Sequence, residues 1–211
     1  MKFRALAVSL GALGLSACGG LLETTIPAPQ SYVLRLPERT TPAASNRTGT
    51  LLLQRPEAGP GLDSDRIVLL RSDSRFDTYA ASRWAAPAPD MLESLILDAL
   101  RGGGAFAAVF DDSSPYAPRF DLRCTLRRFE ADYTAGAGAS APVVFVALDC
   151  TLGRHRDRAL LASFTAQGSA VARADRLNDV VAAFTAATQA AVTELERQAA
   201  AAVANEPASA Q

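Results

Sequence analysis

The stretch FDLRCTLRRFEADYTAGAGASAPVVFVALDCTL, residues 120–152, decides the fold. It contains two long alternating segments, Phe120 to Tyr133 and Val143 to Leu152, joined by the Gly- and Ala-rich stretch 134–141. Apolar and polar side chains that alternate with a period of two predict β-strands with one buried face. The sequence therefore predicts a long antiparallel hairpin.

Two cysteines lie almost symmetrically about the loop of this hairpin. Cys124 shares its alternating face with Leu122 and Leu126, and Cys150 shares its face with Leu148 and Leu152. Opposed residues of antiparallel strands are about 4.5–5.5 Å apart, which is within the range of a disulfide. We predict a Cys124–Cys150 disulfide, and two buried free thiols are the alternative.

Shorter strands are predicted before and after the hairpin. They are recognised by alternation or by short apolar runs between Pro-, Gly- and Asp-containing turns. The predicted strands run from Tyr32 to Leu36, Thr50 to Gln54, Arg66 to Arg71, Arg75 to Ala80, Phe106 to Phe110 and Ala159 to Val171. The third and fourth of these are separated by few residues, which predicts a second hairpin.

Two helices are predicted. Pro87 to Arg101 has a proline in its first turn and an apolar stripe, and the glycine run 102–104 predicts its end. The second helix runs from about Asp175 to Ala204. Its apolar stripe is expected to pack on a sheet, since it carries Ala and Thr instead of repeated Leu, and a short coiled-coil seam is the alternative. Its members are Leu177, Val181, Phe184, Thr188, Ala191 and Leu195.

These elements predict an α+β fold, a mostly antiparallel β-sheet with two helices packed on it. The predicted domain spans residues 32–204. A disordered tail is expected at 205–211 and a tether at 18–31, where Gly and Pro are frequent and periodicity is weak.

Residues 1–17 are interpreted as a signal peptide. Lys2 and Arg4 precede an apolar run from Ala5 to Leu15, which is too short for a stable membrane-spanning helix. The run ends in Leu15-Ser16-Ala17-Cys18, which resembles the bacterial lipobox, whose cysteine carries acyl chains after cleavage. We predict an N-acyl diacylglycerol on Cys18 and no other cofactor. An ordinary cleaved signal is the alternative. Export would also place the cysteine pair in an oxidising compartment.

Composition excludes several function classes. The 211 residues carry 21 basic and 22 acidic side chains and one His, with a net charge of −1. This balance argues against a nucleic-acid partner. A single His makes His-based metal sites and a hydrolytic triad unexpected. We therefore predict no catalytic residues and no metal site, and we interpret Asp63, Asp65, Asp73 and Asp77 as solvated residues of turns and strands.

The segment before the first helix is the candidate partner interface. It holds the only Trp of the chain beside other residues typical of interface anchors. The candidate residues are Tyr79, Arg83, Trp84, Pro87 and Pro89. The alternative is that Trp84 covers the start of the helix.

A second candidate surface is the turn Arg154-His155-Arg156-Asp157-Arg158. Its charge suits phosphate headgroups or an acidic partner. An exposed basic turn without a binding role is the alternative.

The whole order of elements resembles one family. The lipobox at Cys18, the segment Tyr32 to Leu36, the stretch from Arg66 through Trp84 to Val109, the Cys124 strand and the C-terminal helix resemble the ABC-type transport auxiliary lipoproteins of paraquat-inducible and Mla-like systems. The resemblance implies a non-enzymatic lipoprotein of the outer membrane, on its periplasmic face. Its implied partners are an MCE-domain protein that bridges the periplasm, an ABC permease and an ATPase, and its implied cargo is lipid.

Alternatives to this function remain open at the level of sequence. An envelope lipoprotein that binds lipid without a transporter partner would need an apolar cavity of a few hundred Å³. A periplasmic enzyme would need a base and a nucleophile that the sequence does not supply. Association into a homo-oligomer is also left open.

Overall fold

The computed structural model describes residues 28–37, 49–134 and 141–206. Nine strands and two helices lie in these ranges. The strands are β1 (Gln30–Tyr32), β2 (Thr50–Leu53), β3 (Glu57–Ala58), β4 (Arg66–Leu70), β5 (Phe76–Trp84), β6 (Ala108–Phe110), β7 (Phe120–Asp132), β8 (Val143–Arg154) and β9 (Leu160–Val171). The helices are α1 (Ala88–Gly103) and α2 (Leu177–Ala204).

The predicted hairpin forms the long central strand pair of the sheet. β7 pairs with β8 in antiparallel orientation from Phe120↔Arg154 to Asp132↔Val143, and Cys124 is opposite Cys150. β9 continues the antiparallel ladder on the other side of β8. The inward side chains of β7 and β8 are buried as the alternation predicted, because the helices cover only that face.

The other edge of β7 is lined by three short strands that run parallel to it. β2, β3 and β4 follow one another along β7, with Leu51 beside Phe120, Glu57 beside Thr125 and Leu69 beside Ala131. β6 adds to β2, the predicted hairpin partner β5 pairs antiparallel with β4, and β1 adds to β5. The predicted α+β class is confirmed. The long ladders are antiparallel, and the short strands make the sheet mixed.

The register defines two ends of the domain. β1 is parallel to β5, so the chain enters from the end where β5 begins at Phe76 and β7 ends at Asp132. We call this the tether end. At the opposite end, β7 begins beside the last residue of β8, and the turn 155–159 leads into β9. We call this the arginine end.

Both ends of α1 follow the sequence signals. Pro89 lies in the first turn, and Gly104 ends the helix in the left-handed conformation with φ 68°, which costs glycine little. No side chain caps the first turn. Instead, the backbone N–H of Ala88 donates to the carbonyl of Ser64 at 3.0 Å.

α2 packs on the sheet, as predicted. Phe184, Thr188, Ala191 and Leu195 of the predicted stripe are fully buried. The centre of the stripe is turned slightly from the prediction, since Val180 is buried and Val181 is half-buried. A glycine lets helix and sheet approach closely, because a Cβ on Gly168 of β9 would overlap the carbonyl oxygen of Ala187.

The first predicted strand differs from the observed one. The ladder covers Gln30–Tyr32, so it begins inside the predicted tether and ends where the prediction placed its start. From Val33 to Pro37 the chain has no strand partner, although Leu34 is buried and Leu36 is half-buried as their alternation predicted. The reason is that β5 ends at Trp84, so the chain beyond Tyr32 has no edge to pair with.

The predicted disordered tail begins too early. The backbone N–H of Asn205 donates to the carbonyl of Ala201, and the Glu206 side chain is only 1% exposed. Glu206 accepts hydrogen bonds from Arg119 of the β6–β7 connection at 2.8 Å and from Arg154 of β8 at 2.7 Å. Two charged donors therefore hold this carboxylate and fix the end of α2. Residues 207–211, like the signal peptide and residues 18–27, lie outside the described residues.

Candidate interaction surfaces

Trp84 is not an exposed interface anchor. Its side chain is 0% exposed and packs between Phe129 of β7 and Phe184 of α2, with ring centroids 5.6 and 5.1 Å away. The sequence did not reveal this because β5 contains a bulge. Arg66 of β4 pairs with Arg83 of β5, and the next pair is Val68 with Thr78. Between these two pairs β5 therefore contains more residues than β4. The irregularity turns Trp84 inward.

The other candidate interface residues do not form one exposed surface. Pro89 is buried, and Pro87 is half-buried at the start of α1. Tyr79 is half-buried and its hydroxyl is 2.7 Å from that of Tyr133. Only Arg83 is exposed, and it lies 3.6 Å from the carboxylate of Asp65. This segment therefore mainly covers the hydrophobic core and does not form a docking patch.

The structure joins the two hairpin cysteines. The Sγ atoms of Cys124 and Cys150 are 2.07 Å apart, and their side chains are 4% and 1% exposed. The bond links adjacent central strands over a sequence separation of 26 residues. The two strands are already paired by backbone hydrogen bonds. The disulfide therefore stabilises the fold mainly by reducing the conformational entropy of the unfolded chain.

We expect that the double replacement Cys124→Ala and Cys150→Ala lowers the free energy of unfolding by about 2–4 kcal/mol, because the unfolded chain loses its crosslink. Urea unfolding of both proteins measures this. Maleimide labelling of the denatured, unreduced wild type should modify neither cysteine. Labelling of both would contradict the disulfide.

The acidic residues that the sequence grouped together are used in ion pairs. Asp63 contacts Arg55, Asp73 contacts Arg75, and Asp77 contacts Arg71 at 2.8 Å. All are on exposed turns or strands, where each pair contributes little stability. Within the described ranges, no group of three or more His, Cys, Asp or Glu is placed to hold a metal ion.

At the tether end, consecutive hydrogen bonds link two tyrosines and an aspartate. Tyr133 donates to the carboxylate of Asp175 at 2.5 Å, and the hydroxyl of Tyr79 is 2.7 Å from that of Tyr133. Burial raises the pKa of Tyr79. Burial, together with the bond to Asp175, raises the pKa of Tyr133 further. The neutral phenols therefore fasten the β9–α2 connection to β7 and β5.

These hydrogen bonds of the two tyrosines predict that the protein loses stability at alkaline pH. Since the pKa of each phenol is raised on folding, their contribution to stability is complete below about pH 10 and is lost as the pH rises further. Ultraviolet titration should show a late phenolate phase that is absent from Tyr79→Phe/Tyr133→Phe. A wild type whose tyrosines all titrate together near pH 10 would contradict this assignment.

The arginine end carries an open groove of about 740 Å³ on the sheet face that the helices leave uncovered. Arg123 of β7 joins the basic turn that the sequence singled out, and Leu52 and Leu160 add apolar surface. The residues that line the groove are Leu52, Gln54, Asp121, Arg123, Thr151, Gly153, Arg154, His155, Arg156, Arg158 and Leu160.

Three carboxylates at this end are already engaged. Asp121 contacts His155 at 2.8 Å, Asp157 contacts Arg154 at 2.8 Å, and Glu206 holds Arg119 and Arg154. The hydrogen bond of the His155 ring to the carboxylate of Asp121 fixes the orientation of the imidazole at this end. Arg123, Arg156 and Arg158 are exposed, and they form no ion pair with any residue in the described ranges.

A second groove lies between the helices and the segment after β1. It has a volume of about 670 Å³ and mixes apolar side chains with polar ones. The apolar members are Leu34, Leu36, Leu95, Ala99 and Val192, and the polar members include Arg35, Asp98 and Gln189.

Neither of the two helices in the described ranges has the length and the apolar composition that a membrane span requires.

Comparison with known proteins defines the class. The family model of the ABC-type transport auxiliary lipoprotein component matches residues 32–200. The chain belongs to this family, as the resemblance predicted.

Solved structures agree with the fold. A crystal structure of a protein from Xanthomonas campestris is 30% identical, with a TM-score of 0.69 over 83% of this chain and 94% of that one. A hypothetical protein from Chlamydia trachomatis is 6% identical, with a TM-score of 0.51 over 75% of this chain and 99% of the other, and is similar in fold alone. Among curated proteins, no match was found.

Proposed function

We propose that this protein is an auxiliary subunit of an MCE/ABC-type lipid transport system, anchored in the outer membrane, where it docks the periplasm-spanning component. The observation that carries the proposal is the family match over nearly the whole domain, residues 32–200. The energy for transport would come from the ATPase partner, and this subunit would contribute position and contact.

The anchor is the acylated Cys18. Two or more acyl chains make membrane attachment long-lived. Gly19 and Gly20 follow the cysteine, where an Asp retains lipoproteins at the inner membrane in enteric-type bacteria, so we infer the outer membrane. From Cys18 to Gln30 the tether has twelve residue steps and reaches at most about 43 Å.

Docking fits the surfaces better than lipid carriage by this chain alone. The side chains between sheet and helices form one continuous buried cluster, and the groove between the helices has a mixed lining. An acyl chain prefers a predominantly apolar cavity. The family role does not require such a cavity, since its partner can carry the lipid.

The proposal is tested by affinity purification of the full-length protein from crosslinked cells. We expect an MCE-domain protein to co-purify with the wild type and to be depleted from Cys18→Ser, which lacks the anchor. If wild-type protein in the outer-membrane fraction recovers no MCE protein, docking is wrong. Stoichiometric lipid extracted from that partner-free protein would favour the lipid-binding alternative.

A further inference from the structure

We propose that the arginine end is the docking face and that it binds a carboxylate-rich protein segment of the partner. This inference rests on the proposed function and adds to it the surface and the chemistry of recognition. It is carried by Arg123, Arg156 and Arg158, which line the 740 Å³ groove without a carboxylate partner among the described residues.

The charge balance differs between the two ends. At the tether end the exposed arginines are paired: Arg71 with Asp77, Arg75 with Asp73, and Arg173 and Arg176 with Asp179. The arginine end has five arginines but three carboxylates. Each of these carboxylates already forms an ion pair with a basic side chain. Unpaired guanidinium groups on one face favour carboxylates, which they bind in bidentate geometry.

The groove also offers an apolar contact. Leu160 begins the edge strand β9 and is 66% exposed in the same groove as the arginines. A solvent-exposed leucine among charged groups suits a protein segment that buries one apolar side chain while its carboxylates meet the arginines.

The direction in which β1 runs along β5 argues against a phospholipid surface as the occupant. β1 enters from the opposite end, and the chain from Gln30 to the arginine end spans about 30 Å of sheet. To place the arginine end on the anchoring membrane, the tether would have to run most of its length back along the domain. A partner that approaches from the periplasm meets this end directly.

The test compares two charge-reversed proteins of equal net charge. Arg156→Glu/Arg158→Glu changes the groove. Arg35→Glu/Arg66→Glu is the control, since both arginines are exposed and have no ion pair within the described ranges. Full-length proteins in nanodiscs are titrated with a fluorescent decaglutamate peptide and with the purified MCE-domain protein of the same organism, after thermal melts confirm that each variant is folded.

We expect the groove variant to bind both probes at least about tenfold more weakly than the wild type, and the control to bind them within about twofold. Wild-type binding should weaken with added salt, because the contacts are exposed charges. Equal peptide binding by wild type and groove variant would overturn the inference. A parallel titration with phosphatidylglycerol vesicles tests the other occupant: a groove variant that keeps peptide binding and loses only vesicle binding would overturn the inference as well.

The two levels of the proposal fail separately. If the wild type binds the peptide through the groove but does not bind the MCE protein, the proposed partner is wrong and the carboxylate site stands. If the wild type and both variants bind the MCE protein equally, docking stands and the arginine end is not its surface.

Discussion

Replacing Gly168 with alanine is expected to destabilise the domain by about 3 kcal/mol, at the upper end of the range for overpacked sites. A Cβ at this position would overlap the carbonyl oxygen of Ala187 and lie 2.8 Å from both Ala190 Cβ and Ala191 N. Two of these three atoms are backbone atoms of α2, so a side-chain rotation cannot relieve the overlap. The whole helix would have to move away from β9.

The matched control is Gly102→Ala. Apart from its chain neighbours and the backbone of its own helix, no atom lies within 4 Å of a Cβ built there, and the residue is in the last turn of α1. Alanine should therefore be neutral or slightly stabilising, since it restricts the unfolded chain more than glycine does. Urea unfolding of the three proteins gives the comparison. A Gly168→Ala protein as stable as Gly102→Ala would mean that α2 does not pack against β9 as closely as described.

Trp84→Ala is expected to cost about 3–5 kcal/mol, the range for large aromatic side chains removed from a core. The indole joins β5 to Phe129 of the central strand and to Phe184 of α2, so its loss leaves a cavity between sheet and helix. Because Trp84 is fully buried, any effect on partner binding should scale with the loss of folded protein. Chemical denaturation and a binding titration of the folded fraction separate these effects.

Trp84→Phe is the informative companion. The indole Nε1 is buried and no hydrogen-bond partner is described for it, so phenylalanine removes an unsatisfied donor together with packing volume. We expect a smaller loss than for alanine. Phe76→Ala is the surface control, because that side chain is 56% exposed. If Trp84→Ala weakened partner binding while the unfolding free energy stayed unchanged, the original anchor hypothesis would be right after all.

The central hairpin was predictable because two independent signals agreed. Alternation placed Cys124 and Cys150 on the buried face, and the position of the loop placed them opposite each other. The register that the structure shows is Cys124↔Cys150. In a hairpin the loop fixes the register, so local sequence was sufficient here.

Alternation was less informative at the N-terminal segment. Leu34 and Leu36 do face inward, which their spacing predicted, but the chain there has no strand partner. A period of two reports which side chains are buried in an extended chain. It does not report whether another backbone lies beside it, because that depends on where β5 ends.

The interface prediction failed where the strand is irregular. Trp84 follows a bulge in which Ala81 has a positive φ of 50°, and no residue in that stretch is a glycine that would have signalled it. The arginine end was found only in part. The sequence indicated the basic turn, but the addition of Arg123 and the engagement of Glu206 join residues distant in the chain.

The most direct test of the whole account is the mass of the mature N-terminus in protein purified from the outer-membrane fraction. We predict that the first residue is Cys18 and that it carries a diacylglycerol and an N-linked acyl chain. The tethered docking subunit requires that modification. An N-terminal peptide that retains any of residues 1–17, or an unmodified Cys18, would contradict the account.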